Sequence, residues 1–191
     1  MTKHYDYLKK LNVLNDVFKI EIEGEFGTIS GFRLGTLGSK GNDVDADEVN
    51  AACGQCVLLL STISIKAEFD FIDIELKPMG SNSKIICIKE NNKKSVHTFA
   101  FQNKGYFNLA MLDLVKAINQ IGEHFQQKYE NLKDKVKLNS FIYLKEEDYK
   151  FISDRLEDWT NACKYLLQDL KWLIYMSQVE DRIRQETSKS S

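Results

Sequence analysis

At 191 residues, with 43% hydrophobic and 28% charged side chains, the chain has the size and composition of one compact domain with a full core, and it lies outside the low-hydrophobicity regime of disordered chains. Its 26 Lys plus Arg against 28 Asp plus Glu leave a formal charge of -2, which gathers no phosphate backbone and makes nucleic acid an unexpected partner. The charged, aromatic residues 1–10 lack the apolar stretch of a secretory signal, and no window reads as the ~18 uncharged apolar residues of a membrane span.

In chain order, His4, Leu8 and Leu11 share a face, so residues 1–11 read as the end of a helix arriving from elsewhere, with the domain proper over 12–180. Val17 to Glu23 alternates apolar and charged residues, the pattern of a half-buried strand. Gly24-Glu25 turns it into a second strand through Phe26, Thr28, Ile29, Phe32 and Leu34, and Gly35, Gly38 and Gly41 open a loop. Asp43, Asp45, Asp47 and Glu48 suit a helix amino terminus, where carboxylates meet free amides and the positive dipole end. From Val49 to Ile63 apolar residues recur every three or four positions, predicting a helix.

The pattern then repeats. Strands are expected at Phe69–Leu76, Ile85–Ile88 and Val96–Phe101, with a turn at Pro78–Ser83, before a helix from about Tyr106 to Tyr129. A third pass has strand candidates at Val136–Leu144 and near Phe151-Ile152, then a helix from about Asp158 bearing Trp159, Leu166, Leu170, Leu173 and Ile174. Helix starts near 47, 106 and 158 are spaced by roughly fifty to sixty residues, which suggests triplication within one domain. The expected class is α+β, with three sheet-and-helix repeats packed as one globular domain. Residues 181–191, polar and Ser/Thr/Lys-rich, read as a disordered tail.

Several constellations invite chemistry. Cys53-Gly54-Gln55-Cys56 has the spacing of a thiol oxidoreductase, but helix precedes Cys53 by nearly two turns, whereas a reactive thiol sits at a helix amino terminus. A buried structural pair is the competing reading. One C-x-x-C also leaves at least two zinc ligands missing, so no metal is expected. The glycines contain no phosphate-binding motif, and His4, His97 and His124 are far apart in sequence without a recognised nucleophile context. No catalytic site or cofactor is expected. Cys53, Cys56, Cys87 and Cys163, in the absence of an export signal, read as reduced cytosolic thiols. Arg33, beside strand apolar residues, is expected to pair with an acid such as Glu48. Trp159, Trp172, Tyr165 and Tyr175 on the last helix read either as core or as a partner surface.

Several blocks carry a family resemblance: Leu11 to Phe18; Gly24 to Ile29, with Phe26, Gly27 and Thr28; Phe32 to Gly35, with Arg33; Glu48 to Gln55, with Asn50, Gly54 and Gln55; Val57 to Leu60; and Trp159 to Trp172. Together they resemble the carboxy-terminal β-α repeat (BARA) domain of the beclin family. The resemblance implies a non-catalytic, membrane-binding and scaffolding subunit domain of a class III phosphatidylinositol 3-kinase complex in autophagy and endosomal or vacuolar sorting. The other subunits and an anionic membrane surface would be its partners. Its place would be cytoplasmic, peripheral on endosomal or autophagosomal membranes. Family members carry an aromatic finger where Val96 to Phe107 lies here, which implies membrane contact by Phe99, Phe101, Lys104 and Tyr106, with Lys93 and Lys94 adding attraction. The alternative from the residues alone is that Phe99 and Phe101 face inward along a strand.

Overall fold

The structure, a computed structural model, describes residues 13–36, 44–129 and 156–189. Residues 13–17 are helical, and the Phe18 amide donates to the Leu14 carbonyl at 2.8 Å. Val17 and Phe18 therefore precede the first strand instead of opening it. Leu14 and Phe18 are both buried, and a helical turn puts such i, i+4 side chains on one face.

Strand β1 (Ile20–Glu23), β2 (Phe26–Ile29) and β3 (Phe32–Leu34) form an antiparallel sheet in that order. Ile29 pairs with Phe32, leaving Ser30 and Gly31 as a two-residue turn with φ of 52° and 81°. Two positive φ values match the right-handed twist of the flanking strands.

Helix α1 (Ala46–Ala67) carries Asp47 and Glu48 in its first turn and stops at Glu68 in the left-handed conformation. By length and composition α1 is apolar enough to cross a bilayer, which the reading of the sequence did not anticipate, yet 61% of its most apolar window is buried inside the fold. It packs against β3, α2 (Lys104–Lys128) and α3 (Leu156–Lys189). All-round apolarity is what a central core helix requires.

Strands β4 (Ile74–Lys77), β5 (Lys84–Ile88) and β6 (Lys94–Thr98) form a second antiparallel sheet. Two expected strands are shorter than their apolar runs. Phe69 and Phe71 lie ahead of β4, stacked edge to face at 5.2 Å, because Gln120 of α2 takes over the backbone here: the Ile72 amide donates to Gln120 Oε1 at 2.8 Å and Gln120 Nε2 donates to the Ile72 carbonyl at 3.0 Å. A segment whose amide and carbonyl are satisfied by a side chain has no need of a strand partner. Similarly β6 ends at Thr98, so Phe99 to Phe101 belong to the connection into α2.

Helix α2 covers β5 and β6, whereas α3 returns across the first sheet to pack on β1, β2 and β3. The class is α+β, with one continuous core joining both sheets to all three helices. The strand candidates of the third pass, Val136–Leu144 and Phe151-Ile152, and residues 1–11 lie outside the described residues. Helix α3 runs to Lys189, past residue 180 where a disordered tail was expected. Part of this extension is anchored: Lys66 of α1 pairs with Asp181 at 2.7 Å, and Arg184 with Glu68 at 2.9 Å.

Candidate functional site

The connection from β6 to α2 is built around aromatic rings. Phe99 is only 2% exposed and meets Phe107 edge to face at 6.4 Å. Phe101 is half-buried, 5.1 Å from the Phe107 ring and 5.6 Å from that of Trp159 on α3. The Phe101 amide donates to Asn50 Oδ1 of α1 at 2.9 Å. Asn103 donates back to the Ala100 carbonyl at 2.8 Å, and Phe107 to the Asn103 carbonyl at 3.0 Å, starting the helix.

The aromatic pair is thus clamped between all three helices, and Phe99 is a core residue in this conformation. What faces outward is the rim: Gln102, Asn103 and Gly105 are exposed, and Tyr106 is 53% exposed. Lys104 opens α2. Lys93 and Lys94 are exposed, with Lys94 3.7 Å from Glu75. They stand at the far end of β6 from the connection, about 15 Å away at roughly 3.4 Å per residue. They are not neighbours of Tyr106.

The residues of the resembling blocks build the frame. Phe26 and Thr28 are buried on β2. Arg33 holds Glu48 bidentately at 2.9 and 2.8 Å, as expected, and its own amide donates to the same carboxylate at 2.8 Å. The Arg33 guanidinium keeps the Glu48 carboxyl below the usual carboxylate range. Gly35 ends β3 against Thr160 of α3, whose hydroxyl donates to the Thr36 carbonyl at 2.7 Å. Gln55 Oε1 accepts from the Ser30 hydroxyl at 3.4 Å. Two glycines are set by close approach: a Cβ on Gly27 would lie 2.6 Å from Leu167 Cδ1, and one on Gly54 would lie 2.1 Å from the Gly80 carbonyl oxygen. Trp172 packs partly buried against the core and Trp159 is buried within it, while Tyr165 and Tyr175 are exposed.

Cys53 and Cys56 are both fully buried within α1. Burial pushes the Cys56 thiol up to about 12 and Cys53 well above its ordinary value. A redox thiol needs the opposite shift and access to substrate, so the oxidoreductase reading does not fit these residues.

The structure brings together three residues that the sequence keeps apart. Cys87 of β5, His97 of β6 and Asp113 of α2 place their ligand atoms within 4.8 Å of one another. His97 Nδ1 is hydrogen-bonded to Asp113 Oδ2, and Cys87 Sγ lies within 4.8 Å of both. No local motif announces this cluster, because it depends on strand register and on how α2 lies over the sheet.

Residues 8–179 match the family profile of the Apg6 BARA domain. The chain is 34% identical over 194 residues to vacuolar protein sorting-associated protein 30 of Kluyveromyces marxianus, covering 91% of this chain and 40% of that protein. It is 33% identical to a Beclin-1-like protein of Arabidopsis thaliana (90% of this chain, 34% of that one) and 33% identical to Beclin-1 of Xenopus laevis (87% and 40%). The chain therefore spans no more than 40% of the length of these relatives.

Proposed function

From the premise that this chain belongs to the Apg6 BARA-domain family, we propose that it is a non-catalytic scaffolding domain of a class III phosphatidylinositol 3-kinase complex subunit. It acts in autophagy and vacuolar or endosomal sorting, on the cytoplasmic face of endosomal or autophagosomal membranes. Kinase chemistry belongs to a partner subunit. The burial of Cys53 and Cys56 supports this division, since the most redox-like motif of the chain serves as packing. Tyr165 and Tyr175, exposed on α3, are available to other subunits, tyrosine being a common interface anchor.

The membrane contact is the rim of the β6–α2 connection, with Tyr106 foremost, beside Gln102, Asn103 and Lys104. The carrying observation is the division of this loop into a buried and an exposed half: Phe99 is held in the core, and Tyr106 stands clear of it. A tyrosine at the interface buries its ring and keeps its hydroxyl wet. Phe101, half-buried above Phe107 and Trp159, enters the headgroup layer only if the loop lifts away from the Asn50 side chain that receives its amide. A second reading follows from the same burial of Phe99 and Phe101: a scaffold that binds only proteins and has no membrane contact.

The scaffold role is tested by pull-down of purified class III phosphatidylinositol 3-kinase catalytic subunit with the tagged chain, alongside a lipid-kinase assay of the chain alone. Retention of the subunit with no activity from the isolated chain is the expected outcome. Failure to retain it with the chain folded, or intrinsic activity, overturns the proposal.

A further inference from the structure

Strand register fixes half of the cluster beneath α2. Cys87 pairs with Ser95 and Ile85 with His97 across β5 and β6, so Cys87 and His97 are diagonal neighbours on one face, within reach of each other. That face is the one α2 covers, and Asp113 comes down onto it from the helix. Sulfur, imidazole nitrogen and carboxylate oxygen all fall within 4.8 Å of one another. Ligands of a tetrahedral zinc ion at bond lengths of about 2.0–2.3 Å stand roughly 3.3–3.8 Å apart, so the hydrogen-bonded His97 and Asp113 atoms have to part and the whole set needs only small shifts to reach that spacing.

The cluster is also accessible. It forms part of the wall of a cavity of about 480 Å³, shared with Ser95, Leu109, Lys116 and Gln120. The Ser95 hydroxyl in that wall is buried without a hydrogen-bond partner, a polar group suited to a metal-bound water. We propose that Cys87, His97 and Asp113 bind one transition-metal dication, zinc by preference, with the cavity supplying a water as fourth ligand. This reverses the expectation of no metal, which rested on the Cys53–Cys56 motif.

Binding displaces the thiol proton to solvent, and His97 carries its remaining proton on Nε2 so that Nδ1 is free to coordinate. The hydrogen bond between His97 and Asp113 is exchanged for metal bonds. Thiolate and carboxylate together carry two negative charges, so the occupied site is neutral and neither Lys89 nor Lys116 on the cavity wall faces a net positive centre. A mixed sulfur, nitrogen and oxygen set with an open position suits zinc and its spectroscopic substitute cobalt better than the hard cations magnesium and calcium, which take oxygen ligands.

The test titrates Co²⁺ into the full chain after chelator treatment and removal of the chelator. A thiolate-to-cobalt charge-transfer band saturating at one equivalent, bleached by Zn²⁺, is expected. Cys87→Ser, folded by circular dichroism, must lose that band. His97→Gln keeps the thiolate but must weaken cobalt binding and alter the visible bands. Absence of a band in the wild-type chain, or its persistence in Cys87→Ser through the other thiols, overturns the proposal. So does unchanged binding by His97→Gln, and the cluster is then a hydrogen-bonded polar group only.

Discussion

Asp169 lies on α3 among core residues, and burial raises its carboxyl from an ordinary 3.8 to about 7. A raised carboxyl pKa in the fold means that its contribution is fully present below the ordinary carboxylate range and is lost as pH climbs through the folded value. Asp169→Asn is therefore expected to stabilise the chain by on the order of 2 kcal/mol at pH 8 and by almost nothing at pH 4, measured by urea unfolding at both. Glu48 has the opposite sign: its pKa is lowered by Arg33, so its contribution holds at neutral pH and is lost as acid protonates it. With Arg33 partly open to solvent, Glu48→Gln should cost about 1 kcal/mol or less at pH 7, a cost that disappears as acid protonates the Glu48 carboxylate. The Arg33 pairing was legible in the sequence because a charge beside strand apolar residues demands a partner. The Asp169 environment was not, since a carboxylate one residue from Leu170 reads equally well as a solvated helix face.

At the level of elements, the period of apolar residues located α1, α2 and α3 but misjudged where strands start and stop. Phe69, Phe71, Phe99 and Phe101 are apolar enough to extend β4 and β6, yet the backbones of Ile72 and Phe101 in these runs are held by the Gln120 and Asn50 side chains instead of a neighbouring strand. Long-range side-chain partners of that kind leave no local signature. The meeting of α1 with the turn between β4 and β5 is equally hidden, because it rests on Gly54 touching the Gly80 carbonyl. Gly54→Ala has to push that turn away, and a loss of about 2 kcal/mol is expected from thermal unfolding. At the other end of the core, Glu180 is 2% exposed and receives Lys128 of α2 and Arg184 of α3. Glu180→Ala leaves two cations without their shared acid and should cost about 2–3 kcal/mol, most of it recovered when Lys128 is replaced by Met as well.

Across the whole molecule, the sequence blocks identified the family and the α+β class, while the distribution of aromatic side chains between core and surface depended on the assembled fold. Period-two spacing made Phe99 and Phe101 equally consistent with a finger and with a strand face, and Trp159, nearly sixty residues on, decides which way they turn by packing on Phe101. The separation of Lys93 and Lys94 from Tyr106 by the length of β6 likewise appears only once the hairpin is formed. A double change of Phe99 and Phe101 to Asp would insert carboxylates into the aromatic cluster and report on folding before it reported on membranes. Phe99→Ala alone should cost about 3–4 kcal/mol, whereas Tyr106→Ala should lie within about 0.5 kcal/mol of the parent.

The direct measurement is co-sedimentation of the folded chain, and of its Tyr106→Asp variant, with liposomes of increasing anionic content at low and physiological salt. The parent is expected to bind more as anionic lipid increases and less as salt rises, and Tyr106→Asp to lose most of that binding with its unfolding midpoint unchanged. No binding by the parent at any composition, or equal binding by the variant, would contradict the rim as the membrane contact and leave the protein-only scaffold.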